Sequence, residues 1–255
     1  MNLKNRLDIE VSSRDCNSEL CISTKPDPII IAKRYNDEYI SLICALFAYG
    51  NVRLIVKFLD SLDFDLLNKS DDNIKSSLTN HYYRFQNSDD VIAIFIALKR
   101  LKNQFSLNEL FLQGYKNSNS VLDGIEFLIK SILKVYDYRS RGYDFLIGRV
   151  FKRDKNNQIS YNKNSAYKRW NMYLRWMVRY DSIDMGLWSG VNKSDLILPL
   201  DVHTFNVSKS LGLLDTNSAN LQSAISITSK LKQFDKYDPI KYDFALYRIG
   251  QEKLI

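Results

Sequence analysis

The chain has 255 residues, with 36 Lys and Arg against 29 Asp and Glu, which gives a formal net charge of +7. Hydrophobic residues make up 45% of the sequence, which is enough to bury a sizeable core and excludes a disordered or fibrous chain. Only nine glycines and four prolines are present, so a turn-rich β-sandwich or barrel is disfavoured and helices are favoured. The positive charge suggests a polyanionic partner without identifying it.

Cysteine usage and hydrophobic runs indicate the compartment. The three cysteines, Cys16, Cys21 and Cys44, cannot form an even set of disulfides and are too few for a four-cysteine metal site. We therefore expect reduced thiols and no metal or other cofactor. The first residues show no secretory signal, and the most apolar stretches, 40–49 and 91–98, are shorter than the ~20 residues of a membrane span. The sequence predicts a soluble cytoplasmic protein that does not enter a membrane.

The first part of the chain predicts a helical bundle. The region up to about Lys33 shows no regular pattern, and it is followed from Asp37 to Leu62 by apolar residues at helical spacing, broken at Gly50. Further helical patterns cover residues 71–83, 88–102, 107–114 and 119–136. Ser106, with a glutamate three residues later, is a capping box that begins one of these helices. Short connections between such segments are typical of α-helical bundles.

Positive charge is concentrated between Arg139 and Arg179. This segment holds eleven basic and two acidic residues, a net charge of +9 that exceeds the net charge of the whole chain. Aromatic residues are interleaved with the basic ones, a combination in which rings stack on bases and cations hold phosphates. The alternative interpretation is a solvated basic surface beside a stripe of core residues.

Residues 165–179 are predicted to form an amphipathic helix. One side carries Ala166, Trp170, Tyr173, Leu174 and Met177, and another carries Lys168, Asn171, Met172, Arg175 and Arg179. The arginines would repel a neighbouring ammonium group and lower the pKa of Lys168, and burial would act in the same direction. Lys168 is therefore a candidate nucleophile, and without such a site it is a surface cation.

Asp201 stands at the predicted start of a second helix, which Gly212 ends. Backbone N–H groups and the helix dipole hold an N-cap carboxylate in its ionised form. Such a group suits a site where positive charge develops, and it equally suits a purely structural cap. His81 and His203 have no partner at metal-ligand spacing, so we interpret both as structural or surface residues.

The segment LPLDVHT at 198–204, with a helix that ends in LGLL, resembles the catalytic-aspartate segment of the helix-hairpin-helix DNA glycosylase superfamily. Longer stretches are similar to a bacterial family of uncharacterised proteins placed in that superfamily. These stretches are ICALFAYGN at 43–51, FSLNELF at 105–111, KRWNMYLRWMVR at 168–179, DMGLW at 184–188, LPLD at 198–201 and DPIKYDFAL at 238–246. Together they extend over nearly the whole chain, from about residue 27 to residue 250.

The resemblance implies an all-α, two-lobed fold of the DNA-glycosylase type with a central cleft. Residues 1–33 would pack on the C-terminal lobe, residues 34–195 would form the helical bundle lobe with the basic helix, and residues 196–255 would form the C-terminal lobe. Asp201 falls on the superfamily's catalytic aspartate, and Lys168 falls near the lysine nucleophile of members that are also lyases. Their separation of 33 residues is similar to that in the archaeal 8-oxoguanine glycosylase branch. The two side chains would face each other across the cleft.

The resemblance also implies contacts with DNA. The basic residues expected to hold phosphates are Lys163, Arg169, Arg175 and Arg179, and Asn51 lies where the superfamily places DNA-penetrating residues. The residues expected to stack on a base or line its pocket are Tyr49, Trp170 and Asn171. The superfamily's Leu-Pro-Gly-x-Gly hairpin is replaced by residues 159–165, so Lys163, Asn164 and the helix N-terminus would hold phosphate in its place. The four-cysteine loop of some members is absent, so no iron–sulfur cluster is expected.

The implied function is removal of a damaged base from double-stranded DNA by a bacterial cytoplasmic protein, which we expect to be a monomer. Lys168 would attack C1′ of an extruded nucleotide, assisted by Asp201, and the resulting Schiff base would permit strand cleavage at the abasic site. One alternative is a non-catalytic DNA- or RNA-binding protein that retains the fold. Another is a protein-interaction scaffold that binds no oligonucleotide.

Overall fold

A computed structural model describes residues 2–254. Within this range the chain forms thirteen α-helices, five short 3-10 helices and isolated β-bridges but no strand, so the predicted all-α class is confirmed. The α-helices are α1 Leu3–Arg14, α2 Ile29–Tyr35, α3 Glu38–Leu46, α4 Val52–Asp60, α5 Asp71–Leu78, α6 Ser88–Lys102, α7 Leu107–Tyr115, α8 Val121–Val135, α9 Arg141–Ile147, α10 Lys168–Val178, α11 Val202–Ser210, α12 Leu221–Lys232 and α13 Asp243–Gln251. The 3-10 helices are Asn17–Glu19, Phe64–Asn68, Tyr161–Lys163, Lys193–Asp195 and Pro239–Tyr242. None of the helices described between residues 2 and 254 has both the length and the apolar character of a bilayer-crossing segment.

The chain divides into two compact units. The terminal unit contains the residues up to Cys21 together with those from Phe151 onward, and the central unit is Ile22–Val150. The boundary before the C-terminal part thus lies at 150/151, where the sequence had suggested 195/196. The basic helix α10 consequently belongs to the terminal unit and not to the bundle expected for residues 34–195. The N-terminal contribution to the terminal unit ends at residue 21 instead of residue 33.

The central unit is built around buried apolar helices whose ends are fixed by side chains. The capping box predicted at Ser106 is confirmed: its hydroxyl accepts from the Glu109 backbone N–H at 3.1 Å, and the Glu109 carboxylate accepts from the Ser106 N–H at 2.9 Å. The Glu38 carboxylate accepts two further N–H groups at the start of α7, at 2.8 and 3.1 Å. The first turn of α7 is therefore attached to α3. The core of this unit contains fully buried side chains such as Ile43 and Ile94.

The terminal unit packs α13 closely against α11. A Cβ atom added at Gly250 would lie 3.0 Å from His203 Cβ and 3.0 Å from Val207 Cγ2, so this glycine permits the close approach of the two helices. One turn earlier on α13, the Tyr247 ring meets the His203 ring edge-on at 5.9 Å between centroids. This packing places the first turn of α11, which follows Asp201, against Tyr247 and Gly250 of α13.

The N-terminal helix α1 is attached to the same unit by polar contacts. The Tyr242 hydroxyl donates to Asp8 Oδ1 at 2.7 Å, and Arg14 donates to both oxygens of the Glu252 carboxylate at 3.1 and 2.9 Å. These contacts join α1 to the end of α13 and to the 3-10 helix before it. The terminal unit is therefore assembled from segments that are more than 200 residues apart in the chain.

Candidate functional site

Lys168 is the first residue of α10 and follows a residue with an unusual backbone conformation. Tyr167 has φ 48° and ψ 41°, in the left-handed region that bulky side chains rarely adopt. Its ring packs against the Phe151 ring, with the centroids 4.4 Å apart. The Lys168 side chain is half-buried. Because strained backbone persists only where the surroundings hold it, Tyr167 fixes the direction in which α10 begins and thereby the position of Lys168.

Asp201 is the N-cap of α11, the position that the sequence predicts for it. Its backbone is extended, and its Oδ1 atom accepts a hydrogen bond from the Thr204 N–H at 2.9 Å. Thr204 is buried, whereas the Asp201 side chain is half-buried. The cap therefore fixes the orientation of a carboxylate that is still within reach of solvent.

The two predicted catalytic residues are linked by a third, Asp243, which the sequence pattern did not indicate. Asp243 is the first residue of α13, is buried, and accepts a hydrogen bond from Arg175 Nη1 through its Oδ2 atom. Burial raises the pKa of Asp243 to about 6, opposed by the Arg175 charge; the Asp201 charge raises it further, and the Lys168 charge lowers it. Lys168, Arg175 and Asp201 therefore all lie within electrostatic range of one buried carboxyl group.

The sequence did not identify Asp243 as a site residue, because an acidic residue at the start of a helix is ordinarily explained by its favourable interaction with the helix dipole. The one available signal was its place in the stretch at 238–246, where it follows Tyr242 and precedes a Phe-Ala-Leu run. An acid in so apolar a context needs a partner, and here that partner is Arg175.

Lys168 and Asp201 both belong to the terminal unit. The expectation that they come from two lobes and face each other across the cleft is thus corrected. Their proximity to a common carboxyl group comes instead from packing within one unit, where α10 and the N-terminal ends of α11 and α13 meet.

Arg175 and Arg179 do not face solvent as phosphate-binding residues, which corrects that prediction. They are only 5% and 7% exposed. Arg175 Nε donates to Asp184 Oδ1 at 3.1 Å, and Arg179 Nη1 is paired with the other oxygen of the same carboxylate. Arg179 Nε also donates to both oxygens of Asp238, at 2.9 and 3.1 Å. The two guanidinium groups therefore connect α10 to residues later in the chain.

The buried carboxylates and guanidinium groups shift each other's pKa values in opposite directions. Burial raises the pKa of Asp184, although Arg175 and Arg179 both act to lower it. Burial alone would lower the pKa of Arg179, but the charges of Asp184, Asp238 and Asp181 raise it above its ordinary value. The cluster is an internal ion-pair network that keeps α10 in place beneath Lys168.

Trp170 and Asn171 are also buried, so neither side chain is placed to stack on a base at the surface. The Trp170 ring meets Tyr173 edge-on at 6.4 Å. Asn171 Nδ2 donates to the Ala166 carbonyl at 2.9 Å, while its Oδ1 atom is buried without a hydrogen-bond partner among the described residues. The base-stacking role expected for Trp170 is therefore corrected to a core role.

Exposed positive charge lies in the segment that precedes α10. The exposed basic residues there are Lys152, Arg153, Lys155 and Lys163, whereas Arg169 is half-buried. Asn164 is buried, and its amide bonds to the Lys152 N–H at 2.9 Å and to the Lys152 and Ser160 carbonyls at 2.9 and 2.8 Å. Asn164 thus shapes this loop and does not face phosphate as expected. The exposed positive charge of this segment is therefore carried by loop residues and not by Arg175 and Arg179.

Asn51 and Tyr49 lie in the central unit. Asn51 is exposed and caps α4, accepting from the Arg53 and Leu54 N–H groups at 3.0 and 3.4 Å. Tyr49 is half-buried within a group of aromatic rings. The structure therefore assigns Asn51 a capping role at the exposed start of α4.

No group of three or more His, Cys, Asp or Glu residues within residues 2–254 is arranged to hold a metal ion. Cys16, Cys21 and Cys44 are free thiols, and burial raises the pKa of Cys44 well above its ordinary value.

These features define an all-α protein in which a lysine and an N-cap carboxylate interact electrostatically with a carboxyl group of a buried ion-pair network. Residues 27–252 match the model of the family described as "Protein of unknown function (DUF2400)", and the chain belongs to this family. No match was found among curated proteins or among solved structures. Membership of an uncharacterised family is thus confirmed, while its place in the glycosylase superfamily stays a prediction.

Proposed function

We propose that this protein is a DNA glycosylase that excises a damaged base through Lys168 and then acts as an abasic-site lyase. The observation that carries the proposal is that Lys168 and Asp201 both interact electrostatically with the buried carboxyl group of Asp243. A lysine nucleophile beside an oriented carboxylate is the pair of groups that this reaction needs. The resemblance of residues 168–179 and 198–204 to the superfamily supports the same assignment.

The chemistry begins with extrusion of the target nucleotide, because its glycosidic bond is unreachable inside a duplex. The unprotonated Lys168 Nζ attacks C1′, the C1′–N bond breaks, and its electron pair leaves with the base, which takes up the proton that Nζ loses. The nitrogen lone pair then forms the C1′=N bond of a Schiff base as the C1′–O4′ bond opens and O4′ takes a proton. The Asp201 carboxylate stabilises the positive charge that develops on the sugar.

Asp243 acts in this scheme as a positioning residue. Its ion pair with Arg175 holds a negative charge beneath Lys168 and joins α10 to α13. Loss of that charge alters the electrostatics at both Lys168 and Asp201 without removing either group. Phosphates bind the exposed Lys152, Lys155 and Lys163, which precede α10.

Borohydride trapping on duplexes that contain an abasic site or an 8-oxoguanine tests the proposal. We expect a covalent adduct with the unaltered protein, no adduct with Lys168→Gln, and an adduct with the matched control Lys163→Gln, which removes an exposed lysine from the segment before α10. Base release by the unaltered protein, measured as alkali-labile sites, should be lost in Asp201→Asn.

Two results would overturn the proposal in different ways. Binding without any adduct or base release by the unaltered protein would favour the alternative, a non-catalytic DNA- or RNA-binding protein with the same fold. Absence of oligonucleotide binding even at low salt would favour a protein-interaction scaffold.

A further inference from the structure

The central unit holds three aromatic rings in mutual contact, which we name the aromatic patch: the half-buried Tyr49 and the exposed Phe85 and Phe145. The ring centroids of Tyr49 and Phe85 are 5.8 Å apart, those of Tyr49 and Phe145 4.9 Å, and those of Phe85 and Phe145 4.7 Å. Phe85 is 53% exposed and Phe145 is 43% exposed. Single exposed apolar side chains are ordinary, but contiguous exposed rings mark interaction surfaces.

Two buried residues, Tyr83 and Gln86, support the aromatic patch. Tyr83 is buried, meets the Tyr49 ring edge-on at 5.2 Å, and donates its hydroxyl to the Tyr49 carbonyl at 2.6 Å. Gln86, also buried, donates to the Gly142 carbonyl at 3.0 Å and so connects the residue after Phe85 to the helix that carries Phe145. The rings are thus a preorganised platform, which lowers the entropy cost of binding a ligand.

A guanidinium group lies against the aromatic patch. The Arg84 guanidinium carbon is 5.6 Å from the centroid of the Tyr49 ring. Gly50 adopts φ 99°, a conformation that favours glycine, and the Arg84 side chain lies next to it. Arg84 itself has φ 56°, an uncommon conformation for a residue with a side chain. The Arg84 backbone is therefore strained at the residue whose guanidinium group lies over the Tyr49 ring.

Two further arginines lie close in the chain to residues of the aromatic patch. Arg141 precedes Phe145 by four residues on α9 and so shares its helix face, and Arg53 lies in the first turn of α4, just after Tyr49 and Gly50. Arg53, Arg84 and Arg141 are exposed, and none forms an ion pair with another residue in the range 2–254. Elsewhere in the central unit, two arginines are paired with aspartates: Arg34 with Asp60, and Arg100 with Asp71.

Exposed rings bordered by arginines without acidic partners fit a ligand that has flat faces and negative charge. Unpaired nucleobases stack on aromatic side chains whatever their sequence, while guanidinium groups hold the phosphates between them. A fully paired duplex offers base edges in its grooves but no free base faces, so it matches the platform less well. We propose that the aromatic patch, with Arg84, binds the unpaired bases of a DNA strand.

This proposal rests on the proposed function for the choice of DNA, and its substrate class is DNA with bases outside the double helix. Binding to the aromatic patch does not require Lys168, so the two proposals fail separately. If trapping fails but single-strand binding holds, the enzymatic proposal is overturned and this one stands. If trapping succeeds but the variants of the aromatic patch bind single strands normally, this proposal is overturned and the enzymatic one stands.

The test is fluorescence anisotropy of the full chain with a labelled 12-nucleotide oligo-dT, a paired duplex of the same length and an oligo-rU. We expect the Phe85→Ala/Phe145→Ala double variant to raise the Kd for oligo-dT about fivefold or more, since stacking of one base contributes at least about that factor. The Kd for the duplex should change less than about twofold. Circular dichroism shows whether the variant is folded.

A matched control is Tyr237→Ala. Tyr237 is 73% exposed and has the Lys236 ammonium group 4.8 Å from its ring centroid, but it lies in the terminal unit. Its loss should leave the Kd for oligo-dT unchanged. Arg84→Gln should reduce the slope of log Kd against log salt by about 0.7, the value for one contact with a single strand.

Three results would overturn the proposal. The first is an oligo-dT affinity that the double variant shares with the unaltered protein. The second is tighter binding of the unaltered protein to the duplex than to oligo-dT. The third is tighter binding to oligo-rU than to oligo-dT, which would exclude DNA as the preferred strand.

Discussion

Arg175 and Asp243 form a buried ion pair that joins α10 to the first residue of α13. The pair is connected to the proposed catalytic residues, because the Asp243 carboxyl group also interacts electrostatically with Lys168 and Asp201. An arginine that the sequence placed on a DNA-facing surface thus serves to hold a carboxylate beneath the candidate nucleophile. The consequences of this arrangement are measurable in pH dependence, stability and salt dependence.

Asp243→Asn should change the pH dependence of folding stability. Because the pKa of Asp243 is raised to about 6, the folded chain binds more protons at this group than the unfolded chain does between about pH 4 and pH 6. The contribution of Asp243 to the free energy of unfolding is therefore fully present below about pH 4 and is lost as pH rises through 6. Urea unfolding at a series of pH values should show this decline in the unaltered protein and a flatter profile in the variant. Parallel profiles for the two proteins would contradict the prediction.

The same substitution should alter the pH profile of trapping. The groups that face Asp243 are Lys168 and Arg175 from α10 and Asp201 at the start of α11. Ionisation of Asp243 adds negative charge where positive charge develops on the sugar, so the rate of adduct formation should rise as pH increases from 5 to 7. In Asp243→Asn the component of this rise with a midpoint near pH 6 should be absent, and the rate at pH 7 should be lower. A rise near pH 6 that persists in the variant would assign it to another group.

Arg179→Gln should destabilise the protein strongly. Removing one partner of a buried ion pair leaves charge without compensation, at a cost of about 3–5 kcal/mol in the free energy of unfolding. Asp184 is buried, and Asp238 would lose both of its hydrogen bonds from Arg179. The control, Lys155→Gln, alters an exposed residue and should change stability by less than about 0.5 kcal/mol. A change at Arg179 as small as that of the control would contradict the buried network.

The sequence predicted local features well and partners poorly. The caps at Ser106 and Asp201 are confirmed because a cap is decided by residues within three positions of each other. The sequence analysis placed Arg175 and Arg179 at the surface. Helical periodicity shows which residues share a face of α10, but it does not show which other parts of the chain pack on that face. The covering carboxylates lie 9 and 68 positions beyond Arg175, at Asp184 and Asp243. Helical spacing holds no information at that range.

The division of the chain was missed for a related reason. Residues 34–195 look continuous because helical patterns and a basic segment follow one another without a linker rich in proline or glycine. The boundary at 150/151 is set by long-range packing, in which Phe151 contacts Tyr167 and Lys152 bonds to Asn164. Such contacts produce no periodic pattern of residues that could be recognised in the sequence.

The salt dependence of DNA binding should follow the loop lysines instead of the helix arginines. Lys152, Lys155 and Lys163 are exposed, and each lysine that no longer neutralises a phosphate should reduce the slope of log K against log salt by about 0.9 for duplex DNA. Gln substitutions at these three positions should therefore flatten the slope, as measured by anisotropy between low and physiological salt. The control replaces Lys230 and Lys232, exposed lysines at the end of α12, and should leave the slope unchanged. An equal effect in both sets would show that no particular basic surface binds the duplex.

Tyr167→Asn tests whether the strained turn before Lys168 serves the chemistry. Asn adopts the left-handed conformation more readily than Tyr, so relief of strain, about 1 kcal/mol or more, offsets the loss of packing against Phe151. The free energy of unfolding should then change by less than about 1 kcal/mol, whereas the rate of borohydride trapping should fall several-fold, since the start of α10 is less firmly held. Phe151→Leu, which removes the same ring contact without altering the backbone at 167, should lower stability more than it lowers trapping. A Tyr167→Asn variant that traps at the normal rate would show that Lys168 is positioned by α10 alone.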